Sequence, residues 1–561
     1  MSVPAPAEIR ERLIGPGGAF ELVEESVRGH SMRVFKQRTR SLRELLERTE
    51  RFGDRLYLVD GDVRLTFREH LEQVERAANA LRDRHAIRPG DRVALFAANR
   101  WEWIVAFWAT SWLGAIPCLM NGWWTAEEFA DAVAVVEPAL IVGDAPRLER
   151  VKPMLKGLRT LGMDDFGDLL RGSTALAGAA PVTCEDDPAF LIFTSGTTGR
   201  AKAVSVPHRA ACGFSQVSGF SEAYGRGLFG VPLPAAGVPA PPSDDVVLVT
   251  SPLLHVSMLY GAVVMGAVKG FRMVLLPGRF EPERVLQAIE RERVTLWMAL
   301  GSAAPRVVGC PALRDYDTSS LRQVGIGGAP VSPTLQESLR SAFPSTGRLL
   351  GMGYTSTEAG AVIASIGGPE FERHPTSTGR VSLTVEVELR DAAGQPVAAG
   401  EEGEVHVRSP YLMLGYWNDA KATASAQKAG GWLAMGDVAR FEEGLLYINA
   451  RARDMLLVSA ENVSPTEIEY CLEAHPRVLE AAAVGVDDPL TGDAVCAFVV
   501  VDPANRPETS ELEDWCRRSL AHYKVPSVWL LTHDPLPRTP SGKVIKSEVR
   551  ARIEAHYRRG R

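Results

Sequence analysis

The chain has few cysteines and none in pairs. Its seven cysteines stand singly, with no C-x-x-C, which excludes a disulfide framework, a zinc ribbon and a dithiol redox motif, and fits a reducing compartment. An excess of basic charge is missing too. With 62 Lys and Arg against 69 Asp and Glu the net charge is -7, so a general nucleic-acid binder is excluded, and an anionic ligand would need locally gathered positive charge. Long apolar runs are absent: 246–268 is broken by Thr250, Ser251, Pro252, His255 and Ser257, leaving no candidate transmembrane segment. The first residues, MSVPAPAEIRERLIG, lack the basic-then-apolar build of a signal peptide, and the expected location is cytoplasmic. There is no fixed-period repeat. An oligomer is compatible with the sequence but not specified by it.

What is present is an ordinary globular composition, 45% hydrophobic and 23% charged over 561 residues, long enough for more than one domain. Apolar strands alternate with amphipathic helices. Strands are expected at 93–97, 116–119 and 139–142, with helices at 101–113 and from the cap Thr125 to about 136. The cycle recurs at 281–291, where Pro282 suits a first helical turn, then at strand 294–298 and in a helix opened by Ser332 and Pro333. This order predicts α/β architecture with mostly parallel sheets flanked by helices. Short alternating strands around 381–407 read as a small β-subdomain. The Pro/Gly-rich stretch 224–243 reads as a long mobile loop.

Past about residue 450 the pattern changes to α+β: a helix from Ser464-Pro465 with Glu467 at capping-box spacing, strands at 481–486 and 494–501, a helix from Ser510 and a strand at 527–531. A large domain, 1–452, hinged to a small C-terminal one, 453–561, is expected.

The stretch "FLIFTSGTTGRAKAV" (190–204) carries the first chemical signal. A buried strand runs into Thr194, Ser195, Gly196, Thr197, Thr198 and Gly199, with Lys202 beyond. Hydroxyls and amides as donors, glycines for close approach and one cation are what a phosphate cradle needs; a plain polar turn between strand and helix is the alternative reading of the same cluster. It is not a Walker A loop, which would need lysine directly after its second glycine.

The loop resembles the phosphate loop of the adenylate-forming superfamily, which includes acyl-CoA synthetases, luciferases and peptide-synthetase adenylation domains. Other stretches extend the resemblance in order: "GGAP" (327–330), "GYTSTEAG" (353–360), "GWLAMGD" (431–437), "RARDMLLVSAENVSPTEIE" (451–469) and "PRTPSGKVIK" (537–546). It implies ATP-dependent activation of a carboxylic acid to an acyl-adenylate, with release of pyrophosphate. The motifs assign Glu358 as the Mg²⁺ ligand, Thr357 to the α-phosphate, and Tyr354 with Gly328, Ala329 and Pro330 to the adenine. Asp437 is assigned to the ribose, with Arg451 nearby. Lys543 is the catalytic lysine. The resemblance further implies that His255, in "PLLHVSML", gates the carboxylate pocket, and that Arg453 or its neighbour Asp454 is the hinge position. Because that stretch offers no aspartate for an α-ammonium, a plain acid is favoured over an amino acid. The end of the chain soon after Lys543 suggests a stand-alone ligase.

Departures from the family pattern carry their own expectations. Thr355 and Met435 stand where the family has glycine and threonine, and Ala201 and Ala203 replace proline and glycine. In the loop usually reading Ser-Gly-Gly-Glu-Asn, Ser459 and Ala460 replace both glycines. The added Cβ atoms narrow the implied tunnel for the thiol of CoA. Two readings stand: neutral drift, with CoA as a full co-substrate, or efficient adenylation with weak thioesterification, completed by a second ligase or other thioester-forming protein. The acyl pocket is expected around Leu300, Gly301, Gly327 and Gly353, among many small residues, with room for a bulky apolar acid: terpenoid, steroid-like or fatty. Ligases of natural-product pathways, including platensimycin/platencin-type diterpenoid-acid ligases, are similar in this respect. The competing readings are a fully competent medium- or long-chain fatty acyl-CoA synthetase, a luciferase-like oxygenase and a non-catalytic nucleotide-binding protein.

Overall fold

Buried runs of β-formers set the frame. In this computed structural model residues 5–170, 183–194, 201–276, 278–300, 303–327, 331–346, 350–360, 362–451, 454–458, 461–488, 492–539 and 542–559 are described. A seven-stranded sheet runs in the order Gly415–Tyr416, Lys202–Pro207, Pro188–Thr194, Ile116–Leu119, Arg92–Phe96, Leu140–Gly143, Thr160–Gly162. Its strands pair in parallel except at the Lys202–Pro207 end. A nine-stranded sheet centres on six parallel strands, Leu56–Asp60, Arg272–Leu275, Val246–Val249, Leu296–Leu300, Gln323–Gly327 and Leu350–Thr355. The expected mostly parallel sheets flanked by helices are therefore present.

The helix Trp101–Trp112 is buried on nearly every side, because it touches strands Arg92–Phe96 and Ile116–Leu119 of one sheet and Leu56–Asp60 of the other. An all-round apolar helix is stable only with such two-sided cover. The helix Ala126–Val136 starts where expected: the Thr125 hydroxyl accepts from the Glu128 amide, and the Glu128 carboxylate accepts from the Thr125 amide. Five antiparallel strands between residues 386 and 451 form the small β-subdomain. Beyond it Val478–Asp488, Gly492–Val501, Leu456–Val458, Glu461–Val463 and Val528–Thr532 make a separate sheet. Apolar clusters lie on both faces of that sheet, one with helices Pro465–Glu473 and Thr509–Ser519, the other with Lys546–Arg559.

Three local expectations are corrected. The strand expected at 294–298 is Leu296–Leu300, because Arg293 is left-handed and the Val294 amide still bonds Ile289 of the preceding helix. Ser464 forms no capping box; its hydroxyl donates to the Asn449 carbonyl at 2.6 Å instead. Residues 224–228 belong to the helix His208–Leu228, so the loop begins only after it; within the loop Leu233 packs with Ile9, Leu13 and Tyr224, and Gly18 bridges Ala235.

The small C-terminal unit is docked on the large one through helix Pro465–Glu473. The Tyr470 hydroxyl faces the Val331 backbone and the Glu473 carboxyl faces the Ser332 hydroxyl. Burial, with Glu469 and Glu480 nearby, pushes the Glu473 carboxyl up to about 7, against the Ser332 hydroxyl and the Ala481 amide. A carboxyl raised on docking stabilises the docked form at acid pH, and that contribution is lost as pH rises through its folded value. Glu473→Gln is therefore expected to be more stable than the wild type at pH 8 and to lose most of that advantage at pH 4, below the ordinary carboxylate value, as read by urea unfolding at the two pH values.

Candidate active site

Four elements converge beside the phosphate loop. Of that loop, Ser195, Gly196, Thr197, Thr198 and Gly199 lie outside the described residues, but both ends are placed. Thr194 ends one strand and Lys202 begins the next, paired across the turn. The Thr194 hydroxyl donates to Glu358 Oε1 at 3.4 Å. Tyr416 donates to the same oxygen at 3.2 Å, and Lys202 Nζ stands 4.9 Å from the centre of the Tyr416 ring. A carboxylate, two hydroxyls and an ammonium thus share one corner.

Thr357 and Glu358 lie on the turn after strand Leu350–Thr355, where the Gly360 amide bonds the Thr357 carbonyl at 3.2 Å. Gly360 has φ +66°, and a Cβ there would sit 1.9 Å from the Tyr411 carbonyl oxygen. Only glycine fits.

Among the described residues no group of three or more His, Cys, Asp or Glu could hold a metal. A single carboxylate beside hydroxyls and a phosphate loop still suits Mg²⁺, which binds through one or two carboxylates, substrate phosphates and water. The donor set at Glu358 fits that pattern.

Asp437 and Arg451 are register partners on strands Trp432–Glu442 and Leu445–Arg451. Arg451 Nε lies 2.8 Å from Asp437 Oδ1, and the Tyr354 hydroxyl donates to Oδ2 at 2.5 Å. Asp437 is only 4% exposed. Burial pushes its carboxyl above the ordinary range, although Arg451, Tyr354 and Lys543 pull it down. A carboxylate offers about four acceptor positions, so Asp437 keeps capacity for a vicinal diol. Gly328, Ala329 and Pro330, expected against the adenine, lie outside the described residues.

Lys543 comes from the other unit. Arg538 bridges Val544, the Thr539 amide bonds the Lys543 carbonyl at 2.7 Å, and the Lys543 amide bonds Thr539 Oγ1 at 3.1 Å. Gly542, at φ +87°, closes this tight turn. Arg538 holds it from behind, donating to the Gly542 carbonyl at 2.7 Å and to Glu480 at 2.9 Å. The lysine's charge reaches both Asp437 and His255 and lowers the pKa of each. Lys543 therefore faces the cleft between the units.

His255 precedes a short helix, Val256–Met258, that continues as a π-helix, Leu259–Val264. Asn99 pins the approach, donating to the Ser251 carbonyl and accepting from the Leu253 amide, both at 2.8 Å. Burial first, and Lys543 second, push the imidazole down to about 4. At neutral pH it is uncharged.

The π-helix that follows lies over one face of the central strands. The three central strands bury Trp297, Ala299, Val324, Ile326 and Leu350 on one face, whereas Met298, Leu300, Gly325 and Gly353 on the other are half-exposed. Among the described residues, a Cβ on Gly325 would meet nothing within 4 Å, and one on Gly353 nothing nearer than 3.8 Å. Gly261 of the π-helix covers Met298 so closely that its Cβ would fall 2.4 Å from the thioether methyl. Of the residues expected here, Leu300, Gly327 and Gly353 lie on these strands, and Gly301 is outside the described residues, as are the hinge Arg453 and the tunnel residues Ser459 and Ala460. Sequence reasoning missed Tyr416, which has no local signal and meets Glu358 only through the fold.

This arrangement is that of an adenylate-forming enzyme, and the comparisons agree. The chain belongs to the AMP-binding enzyme family: residues 45–417 match its main domain and 467–543 its C-terminal domain. It is similar to a feruloyl-CoA synthase of Amycolatopsis sp, 33% identical over 88% of this chain and 95% of the relative. It is also similar to the 3-[(3aS,4S,7aS)-7a-methyl-1,5-dioxo-octahydro-1H-inden-4-yl]propanoyl:CoA ligase of Rhodococcus jostii (strain RHA1), 32% identical over 89% and 96%. The solved amide bond synthetase McbA from Marinactinospora thermotolerans is 30% identical, with TM-score 0.77 over 91% of this chain and 99% of that one. The chain is thus an adenylate-forming acid–thiol ligase acting with ATP, Mg²⁺ and CoA on a small carboxylic acid. Among its described residues no helix is long and apolar enough to cross a membrane.

Proposed function

We propose that this ligase activates a bulky apolar carboxylic acid, steroid-like, terpenoid or fatty, and that its adenylation half-reaction outpaces thioester formation. The supporting observation is the side-chain-free floor at Gly325, walled by Met298 and Leu300. A fused-ring acid is the printed substrate of the Rhodococcus relative, which favours the same class. A ferulate-like aryl acid is the second reading, favoured by the relative of 33% identity.

In this reading the substrate carboxylate enters past neutral His255 and attacks the α-phosphorus of ATP. Two anions must meet, so the residues' task is compensation and in-line placement. The cradle from Thr194 to Lys202 holds the outer phosphates. Glu358 would hold Mg²⁺, which when bound would supply charge neutralisation on the departing pyrophosphate. Thr357 donates to the α-phosphate, and Asp437 accepts from the ribose hydroxyls. The ammonium of Lys543 bridges carboxylate and α-phosphate as charge shifts between them. Swinging of the C-terminal unit about Arg453 then opens the adenylate to the thiol, past Ser459 and Ala460, whose Cβ atoms slow that second step. A second ligase or thioester-forming protein completes it.

A panel of steroid-derived, diterpenoid, long-chain and hydroxycinnamic acids, assayed separately for AMP and for CoA thioester, tests both claims. Expected are AMP release with the ring-fused or fatty acids and thioester at a small fraction of that rate. Gly325→Leu, which fills the floor, is expected to lower kcat/KM for the preferred acid by roughly tenfold to a hundredfold, the scale of excluded apolar contacts, while leaving KM for ATP unchanged. Preference for hydroxycinnamates contradicts the substrate class, and equal rates of AMP and thioester formation contradict the split.

A further inference from the structure

The segment 409–417 passes between the turn that carries Glu358 and the strand that starts at Lys202, and every few residues it is bonded to one or the other. The Met413 amide donates to the Glu358 carbonyl at 2.9 Å, the Leu414 amide to the Ser205 carbonyl at 2.8 Å and the Trp417 amide to the Ala203 carbonyl at 2.7 Å. Tyr416 pairs with Val204 and gives its hydroxyl to Glu358. The tight seat of Gly360 against the Tyr411 carbonyl leaves this strap almost no room to shift without moving the Glu358 turn.

The outer side of the strap is gripped from far away in sequence. Arg28 sits at the turn between antiparallel strands Leu22–Val27 and His30–Phe35. Its guanidinium donates to three consecutive-turn carbonyls of the strap: Leu412 at 2.9 Å, Met413 at 3.2 Å and Pro410 at 3.3 Å. Arg28 holds φ +49° and Gly29 φ +84°, the left-handed pair that closes a two-residue hairpin between Val27 and His30. The same hairpin is tied to the neighbouring strand where Arg408 donates to the Ser31 carbonyl at 2.7 Å. A planar fork with fixed donor directions can hold several carbonyls in one geometry; a lysine ammonium, a point charge on a flexible stem, cannot.

We propose that Arg28 is a positioning residue for the metal-and-phosphate end of the active site: by clamping the carbonyls of Pro410, Leu412 and Met413 it sets the strap whose Met413 amide and Tyr416 hydroxyl hold Glu358. Arg28 touches no reacting atom. It acts through the strap, so its loss loosens the aim of the Glu358 carboxylate while the acyl cleft, built on strands Leu296–Leu300 and Gln323–Gly327, is left as it was. This rests on the reading of Glu358 as the magnesium ligand, and the test separates the two.

Acid-dependent pyrophosphate exchange is titrated with Mg²⁺ at fixed ATP in the wild type, Arg28→Lys, Arg28→Ala and Glu358→Gln, and KM for the acid is measured in each. The half-saturating Mg²⁺ concentration is expected to rise roughly tenfold in Arg28→Ala, on the scale of one net hydrogen bond, and by a similar factor in Arg28→Lys, with KM for the acid unchanged. Arg28→Lys keeps the positive charge, so it reports the lost fork even if Arg28→Ala fails to fold. A wild-type Mg²⁺ requirement in Arg28→Lys, with Glu358→Gln shifted, overturns the clamp alone. An equal rise in KM for the acid and in Mg²⁺ requirement also overturns it, because that marks general loosening. If Glu358→Gln leaves the Mg²⁺ requirement unmoved, the reading of Glu358 fails and the clamp falls with it.

Discussion

Lys543→Ala is expected to slow adenylation by roughly 10²–10³-fold, the usual loss of one preorganised donor, as read by acid-dependent exchange of labelled pyrophosphate into ATP. The expectation comes from where the hairpin puts the lysine. A turn closed by Gly542 and braced by Arg538 on Glu480 delivers the ammonium to a cleft where its charge is felt by His255 on the acyl side and Asp437 on the nucleotide side. A group that senses both ends of the site lies between them, where carboxylate and α-phosphate have to meet. Because Lys543 is exposed and its hairpin is held by backbone bonds, the truncation should leave thermal stability within about 0.5 kcal/mol of the wild type. Loss of rate with retained stability is the expected pair. Hydrolysis or thiolysis of a preformed acyl-adenylate should be much less affected, since the lysine's work is done once the adenylate exists.

Asp437→Ala should be nearly as severe, with kcat/KM for ATP falling roughly 10²-fold, which corresponds to two charge-assisted hydrogen bonds of about 1.5 kcal/mol each. Arg451 and Tyr354 hold one oxygen each of this buried carboxylate, which has about four acceptor positions in all. Removing it also strands the Arg451 guanidinium, so Asp437→Asn, which preserves volume and one acceptor, is the cleaner variant, with an expected loss of about tenfold. The effect should fall on KM for ATP, and KM for the acid should stay put. Initial-rate kinetics with each substrate varied in turn decide the matter.

Much of the site could be read from the chain because its parts are local. The Lys543 hairpin closes within seven residues, 538–544, and the turn holding Glu358 within five, 356–360. Asp437 and Arg451 are neighbours across one hairpin. Short-range geometry leaves a residue pattern, and the parallel strands left theirs as apolar runs between helices. What escaped notice is long-range. Tyr416 meets Glu358 across 58 residues of chain, and Arg28 meets Leu412 across 384; no window of sequence contains both partners. The capping box at Ser464 failed for a related reason, since a distant carbonyl at Asn449 won the hydroxyl. The contact of Leu233 in the Pro/Gly-rich loop with Ile9 and Leu13 was equally invisible, since these partners lie more than two hundred residues away.

The most direct measurement of the central claim is a crystal structure of this protein with a non-hydrolysable ATP analogue, Mg²⁺ and the preferred acid. The expected result puts the triphosphate along Thr194 to Lys202, the metal on Glu358, the ribose on Asp437 and the ammonium of Lys543 between the acid's carboxylate and the α-phosphate. A triphosphate bound away from Thr194–Lys202, or a Lys543 ammonium turned to solvent with both substrates in place, would contradict it.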